Sequence, residues 1–270
     1  MTRTVRDAAL MFSVMARHDA RDPFCLPAED RDWRDGIEDG VAGLTVGVLA
    51  RPGFDAPADG DARAAVERAA HLLAEAGFRV DGLDYSSHLI DLARARGTGP
   101  TLRYTRGDMR VLPARWTGRF DAVLNLVTSF GFFADPADDR GVMREFARVL
   151  SPGGMLVWHG GSRDGVMAKF LSRDWWKADD GTMIGHERAF DPLSGVLTIR
   201  TAWEGKSGRG TREHRIRLYS ATHLAELCLE AGLVVEECYD GFRDRALTRR
   251  SGEMLLVARK RELPRRRRAR

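Results

Sequence analysis

The chain has 270 residues, of which 43% are hydrophobic and 30% charged, with a formal net charge of +4. That length and apolar content suit one large domain, or a small and a medium one, and exclude a disordered polyelectrolyte. No apolar run reaches the roughly 18 residues of a membrane span, and charges flank the short apolar centre of the N-terminus, so a cytoplasmic protein without a membrane partner is expected.

The first predicted element is a helix over 4–17, where Val5, Ala8, Ala9, Phe12, Met15 and Ala16 recur at helical spacing. "DARDPFCLP" reads as a turn-rich connection. "GLTVGVLARPGF" holds a buried strand, Leu44 to Leu49, closed by Pro52 and Gly53. Asp61 is placed to cap a helix from Ala62 to about Ala76, which Gly77 would end.

From there strands and helices alternate. "FRVDGLD" is a strand, "SSHLIDLARAR" a helix, "LRYTRGD" and "FDAVLNLV" strands, "RGVMREFARVL" a helix stopped by "SPGG", and "MLVWH" a strand. This order predicts an α/β fold with a parallel sheet and helices on both faces. "TMIGHERAF", "VLTIRTAWE" and "EHRIRLY" then alternate with period two and predict an inserted antiparallel meander. "SATHLAELCLEAG" returns to helix, capped by Ser220 and ended by Gly232, and "LVVEECY" and "EMLLVARK" are the last strands.

Cys25, Cys228 and Cys238 have no CxxC spacing, so neither a disulfide framework nor a metal site is expected, and buried free thiols are. The basic ending "RKRELPRRRRAR" lacks interleaved aromatics or glycines. It reads as a solvated tail, 261–270, rather than a nucleic-acid site.

Several words at the element ends, in this order, resemble class I S-adenosylmethionine-dependent methyltransferases over about residues 75–260. They are "GLDYS", "RGDMRVLP", "FDAVLNLVTSFGFF", "REFARVLSPGGMLVW", "RLYSATHLAELCLEAGLVVEECY" and "EMLLVARK". The resemblance implies a Rossmann-like sheet with an antiparallel β lid, S-adenosylmethionine as cofactor and a small-molecule acceptor. Asp84, at the end of the second strand, would accept from the ribose hydroxyls, and Tyr85 would lie on the adenine. Asp108 and the amide of Met109 would meet the adenine edge. Asn125 and Leu126 would line the methionine end, and Ser129 and Phe130 would lie where substrate approaches. Tyr219, His186, His214 and Glu187 belong to the lid region. Tyr219 is expected near substrate, and none of the four carries a motif that makes it a general base. Methyl transfer from a sulfonium needs mainly alignment, because the methyl is already activated.

The chain departs from this family at its first motif. Counting back from Asp84 places "DARAAVE" where a glycine-rich loop should be, with Arg63, Ala65 and Glu67 at the glycine positions. Side chains there would collide with a bound cofactor. Residues 1 to about 70, with "MTRTVRDAALMFSVMARHDARDPFCLP" and "GVAGLTVGV", instead resemble a segment of the amidase signature family that follows its catalytic region. That family's catalytic Gly/Ser-rich stretch is absent, so no amidase residue carries over.

The expected organisation is an amidase-like segment over 1–43, a methyltransferase domain over 44–260 with its lid at about 163–219, and the basic tail. "GLTVGVLA" is expected to fill the slot of the missing first strand, because a gap in a parallel sheet would bury unpaired backbone groups. The competing function is a catalytically inactive relic of a fusion. Amide hydrolysis and RNA binding through the tail stand behind it.

Overall fold

The structure is a computed structural model that describes residues 45–49, 73–75, 77–206, 208–243 and 245–261, with backbone only for 46–49. All of these belong to one compact unit, Gly43–Arg270. The helix expected over 4–17, Cys25, the Asp61 cap, most of the helix expected over 62–76 and the Arg-rich tail lie outside the described residues.

Seven strands form the main sheet: β1 (Thr45–Leu49), β2 (Arg79–Asp84), β3 (Leu102–Arg106), β4 (Phe120–Asn125), β5 (Leu150–Gly161), β10 (Leu233–Tyr239) and β11 (Glu253–Lys260). Their order is β10-β11-β5-β4-β1-β2-β3. The five from β5 to β3 run parallel, whereas β11 and β10 are antiparallel additions. β1 occupies the centre, with Val48 opposite Gly82 on one side and Leu124 on the other. The apolar run "TVGVL" thus takes the place expected of a first strand. Successive strands pass from β1 outward to β3, and the chain then returns to lay β4 on the other side of β1. In sheets of this kind the ligand position is usually at such a reversal point, here the carboxyl ends of β1 and β4.

Helices flank the sheet for reasons visible in their sequences. α1 (Ser87–Arg96) is capped by Ser86, whose hydroxyl accepts from the Leu89 amide, and buries Leu89, Ile90 and Ala93. α2 (Pro136–Val149) starts four residues before the predicted "RGVMREFARVL". Asp135 caps it and Pro136 is preset for a first helical turn. Its buried face is Val142, Met143, Phe146 and Val149. It packs with α4 (Ala221–Glu230) in a core that includes Trp116, Phe120, Val123, Leu156 and Leu256. A smaller core joins Val80 and Leu102 to Leu73, Ala74 and Phe78. Ser220 and Gly232 bound α4 as expected, with Gly232 at φ 83°. Cys228 is buried and Cys238 half-buried, and both are free thiols.

The insertion holds one strand more than the three predicted. A short helix, α3 (Arg163–Ala168), leads into β6 (Arg173–Lys177), β7 (Met183–Asp191), β8 (Val196–Gly205) and β9 (Gly208–Arg217), paired in that order. β6 gives little signal in the sequence because "RDWWK" alternates poorly and is largely exposed. One end of this sheet is apolar, where Phe190, Leu197 and Ile216 lie opposite one another and pack with Phe132, Val166, Met167 and Phe170. Among the described residues no helix is long and apolar enough to cross a membrane, and no cluster of side chains suits a metal ion.

Candidate active site

Asp84 ends β2 beside this reversal point. It is buried, and its Oδ1 accepts from the Ser86 amide at 2.8 Å. That bond turns the chain out of the strand and into α1. Tyr85 follows with 45% of its surface exposed, so its ring is available to a planar ligand.

Asn125 ends β4 on the far side of β1, in register with Leu49 and Trp158. It is fully buried, and among the described residues neither its Oδ1 nor its Nδ2 has a partner. Burying an amide without hydrogen bonds costs about 1–3 kcal/mol by the measure of protein mutations. Such a group at a sheet switch point fits a ligand that brings polar atoms with it. Asp84 and Asn125 therefore suit a nucleoside-type cofactor at this edge. β1 separates them in the sheet, and the segment that follows β1 lies outside the described residues.

Asp108 is engaged differently. Its carboxylate accepts from the Arg110 amide at 2.8 Å and from the guanidinium at 2.7–3.2 Å, and Arg110 also reaches Asp138 at 3.1 Å. Burial raises the Asp108 carboxyl, but the Arg110 hydrogen bonds outweigh it and hold the group below the ordinary carboxylate range. To accept from an adenine amino group, Asp108 would share oxygens already bonded to Arg110. Met109 has its side chain in the core, which leaves only its backbone for a ligand.

Beyond Asn125 the strand stops earlier than its apolar run implies. The run continues through Val127, but Val127 and Thr128 adopt positive φ, 55° and 57°, and the backbone turns sharply. Leu126 is half-buried, and its carbonyl accepts from the Ser129 hydroxyl at 2.7 Å. Ser129 and Phe130 are buried, with Phe130 packed edge-on to Trp158 and tilted against Tyr219. Gly131, at φ 92°, lies so close to the Arg217 carbonyl that a Cβ would meet it at 2.5 Å. The Tyr219 hydroxyl donates to Asp139 at 2.7 Å, and burial followed by the Asp139 charge pushes its phenol up. As placed, Ser129 is buried and Phe130 and Tyr219 belong to the core beyond the end of β4. Tyr219 is thereby an ill-suited general base, since its oxygen already donates to a carboxylate.

Two groups here carried no sequence motif. Asp139, in the first turn of α2, forms a buried ion pair with Arg217 at 2.6 Å, and Arg217 also donates to the Phe133 and Ala134 carbonyls at 3.2 Å. His159, near the end of β5, is buried and accepts from the Val127 amide through Nδ1 at 3.2 Å. Its position at the carboxyl edge of a parallel strand was the available signal.

In the inserted sheet, His186 and His214 share one face with Asp174, Arg188 and Arg212. Arg188 pairs with Asp174 at 2.9 Å and contacts the His186 ring nitrogen at 2.5 Å. Glu187 faces the other way and pairs with Arg173 at 3.0 Å. Burial holds His159, His186 and His214 below the ordinary histidine value, reinforced by Arg188 for His186 and by Arg212 for His214. The unfolded chain therefore binds protons that the folded chain refuses. Stability should be full above the histidine range and fall as pH drops through about 6.5, measured by urea denaturation from pH 8 to 5. A flat profile over that interval would contradict the placement of these three rings.

Comparison with known proteins gives two family matches. Residues 65–154 match the methyltransferase domain family, and residues 1–93 match the amidase family. β1 falls in the amidase match alone, whereas β2, with Asp84, lies where the two overlap. A glutamyl-tRNA(Gln) amidotransferase subunit from Rubrobacter xylanophilus is 41% identical over 80 residues, 30% of this chain and 17% of that protein. Glycine/sarcosine N-methyltransferase of Halorhodospira halochloris is 30% identical over 126 residues, 45% of this chain and 47% of that one. The chain thus spans less than half the length of either relative. Among solved structures, the CcbJ methyltransferase of Streptomyces caelestis superposes with a TM-score of 0.67 at 19% identity, covering 95% of this chain and 89% of that one. A SAM-bound amino pentose methyltransferase, CalS10, of Micromonospora echinaspora superposes with a TM-score of 0.54 at 18% identity, covering 96% and 92%. At such identities the likeness is one of fold. The chain thus resembles the amidase family over residues 1–93 and a methyltransferase domain over residues 65–154, and it shares its fold with the CcbJ and CalS10 methyltransferases.

Proposed function

We propose that the domain transfers a methyl group from S-adenosylmethionine to a small-molecule acceptor. The observation that carries this reading is the pair Asp84 and Asn125 flanking β1 at the switch point, one a buried carboxylate and the other a buried amide without partners among the described residues. Asp84 would accept from the ribose hydroxyls, Tyr85 would cover the adenine, and Met109 would offer its amide. Asn125 and Leu126 would take the methionine end, with Ser129, Phe130 and Tyr219 behind the acceptor. The cofactor supplies an activated methyl, and the chain's part is to align donor and acceptor. A glycine/sarcosine methyltransferase and an amino pentose methyltransferase among the similar proteins support a small acceptor.

A second reading, a domain that keeps the fold without turnover, has its own observation. Asp108 is bonded to Arg110, and no glycine-rich stretch precedes Asp84. Losing the loop's close backbone contacts would weaken binding by about 10²–10³-fold. Calorimetric titration with S-adenosylmethionine and its demethylated product separates the two readings. Heat saturating below about millimolar ligand supports the enzyme, and its absence overturns it. Asp84→Ala should weaken the binding about tenfold to a hundredfold, the worth of hydrogen bonds to a charged group.

A further inference from the structure

We propose that His159 is a positioning residue of this site: its Nδ1 clamps the turn Val127–Thr128 and so fixes where β4 presents Asn125. The consequence for cofactor binding rests on the reading above, whereas the clamp itself is a property of the free protein.

Two consecutive β-branched residues at positive φ make a strained turn. Each such residue costs about 1–3 kcal/mol and persists only where its surroundings impose it. Here both amides of the turn end on one residue. The Val127 N–H donates to His159 Nδ1 at 3.2 Å, and the Thr128 N–H donates to the His159 carbonyl at 3.1 Å. The second bond belongs to any residue at that position, but the first needs an acceptor at the place of Nδ1.

The acceptor role also fixes the ring's tautomer, with the hydrogen on Nε2. Among the described residues that buried nitrogen has no hydrogen-bond partner, and the Glu253 carboxylate stands off at 3.9 Å. The ring is held instead by Phe242, stacked on it at 4.2 Å between centroids. A buried imidazole that spends one nitrogen on a strained turn, and is steadied by stacking, is built to hold that turn.

Three substitutions in the full chain test this. His159→Asn keeps an acceptor near the Nδ1 position, His159→Gln moves it outward, and His159→Leu removes it. Without cofactor, hydrogen exchange at the Val127 amide should rise about tenfold or more in the Leu and Gln variants and stay near wild type in the Asn variant. In wild type, the ¹⁵N signals of the His159 ring should show an unprotonated Nδ1 and a protonated Nε2. A proton on Nδ1, or equal exchange in the Asn and Leu variants, overturns the proposal. If His159→Leu fails to fold, the wild-type ring signals still decide it. S-adenosylmethionine titration of the same proteins should rank Asn above Gln and Leu. No binding by wild type would sink the methyltransferase reading and leave the clamp to the exchange and ring signals.

Discussion

Arg217→Met should cost about 3–5 kcal/mol of folding stability, the usual penalty for stranding one partner of a buried ion pair. Asp139 is fully buried, and among the described residues Arg217 is its cationic partner, at 2.6 Å. The guanidinium also satisfies the Phe133 and Ala134 carbonyls, which the Met side chain leaves bare. With Arg217 removed, the carboxyl keeps the Tyr219 hydroxyl but loses its positive charge. Burial already pushes the Asp139 carboxyl up against the pull of Tyr219 and Arg217, and the substitution pushes it further. A folded-state pKa raised above the unfolded value gives stability back as pH falls through it. The deficit of Arg217→Met relative to wild type should therefore shrink from pH 7 to pH 5. Removing both charges, Asp139→Leu with Arg217→Met, should recover much of the loss. Denaturant midpoints at both pH values measure this, and a deficit that grows in acid would contradict an ionised Asp139.

Val48→Pro should cost about 2–4 kcal/mol, from one lost ladder bond and the carbonyl stranded opposite it. Val48 lies in β1, paired to β2 on one side and β4 on the other, where the sheet has no edge to accept a proline. Total stabilities of domains run to only about 5–15 kcal/mol, so this is a large share. The readout is the urea midpoint of the full chain. A shift below about 0.5 kcal/mol, the scale of surface substitutions, would mean that the strand does not hold the sheet together. The same outcome would undercut the reading of Asp84 and Asn125 as two sides of one site, since β1 is what spaces them.

Most of the elements were legible because their periodicity was undisturbed. The alternation from "FRVDGLD" to "MLVWH" and the helix bounds at Ser220 and Gly232 follow from local chemistry, which neighbours in sequence settle. Boundaries moved where a local rule was outweighed. α2 begins at Pro136 because Asp135 caps it, although its buried stripe becomes evident only at Val142. β4 ends at Asn125 because the next residues turn through positive φ, which no propensity of Val or Thr announces.

The sequence by itself determined the α/β class, the inserted antiparallel sheet, the acidic end of β2 and the absence of a glycine-rich loop before it. Those are properties of residue order, and backbone preference and side-chain period reveal them. The slot of "TVGVL" was expected from the gap that the missing first strand would leave, but its pairing with β2 on one side and β4 on the other was decided by the tertiary structure, because pairing partners are chosen by non-local hydrogen bonding. The same holds for the fate of individual polar groups. Asp108 turns to Arg110, Tyr219 to Asp139 and His159 to Val127, while Asn125 is left without a partner among the described residues. Sequence can place a side chain at a strand end. Whether its hydrogen bonds are already spent depends on what the rest of the chain brings within about 3 Å of it.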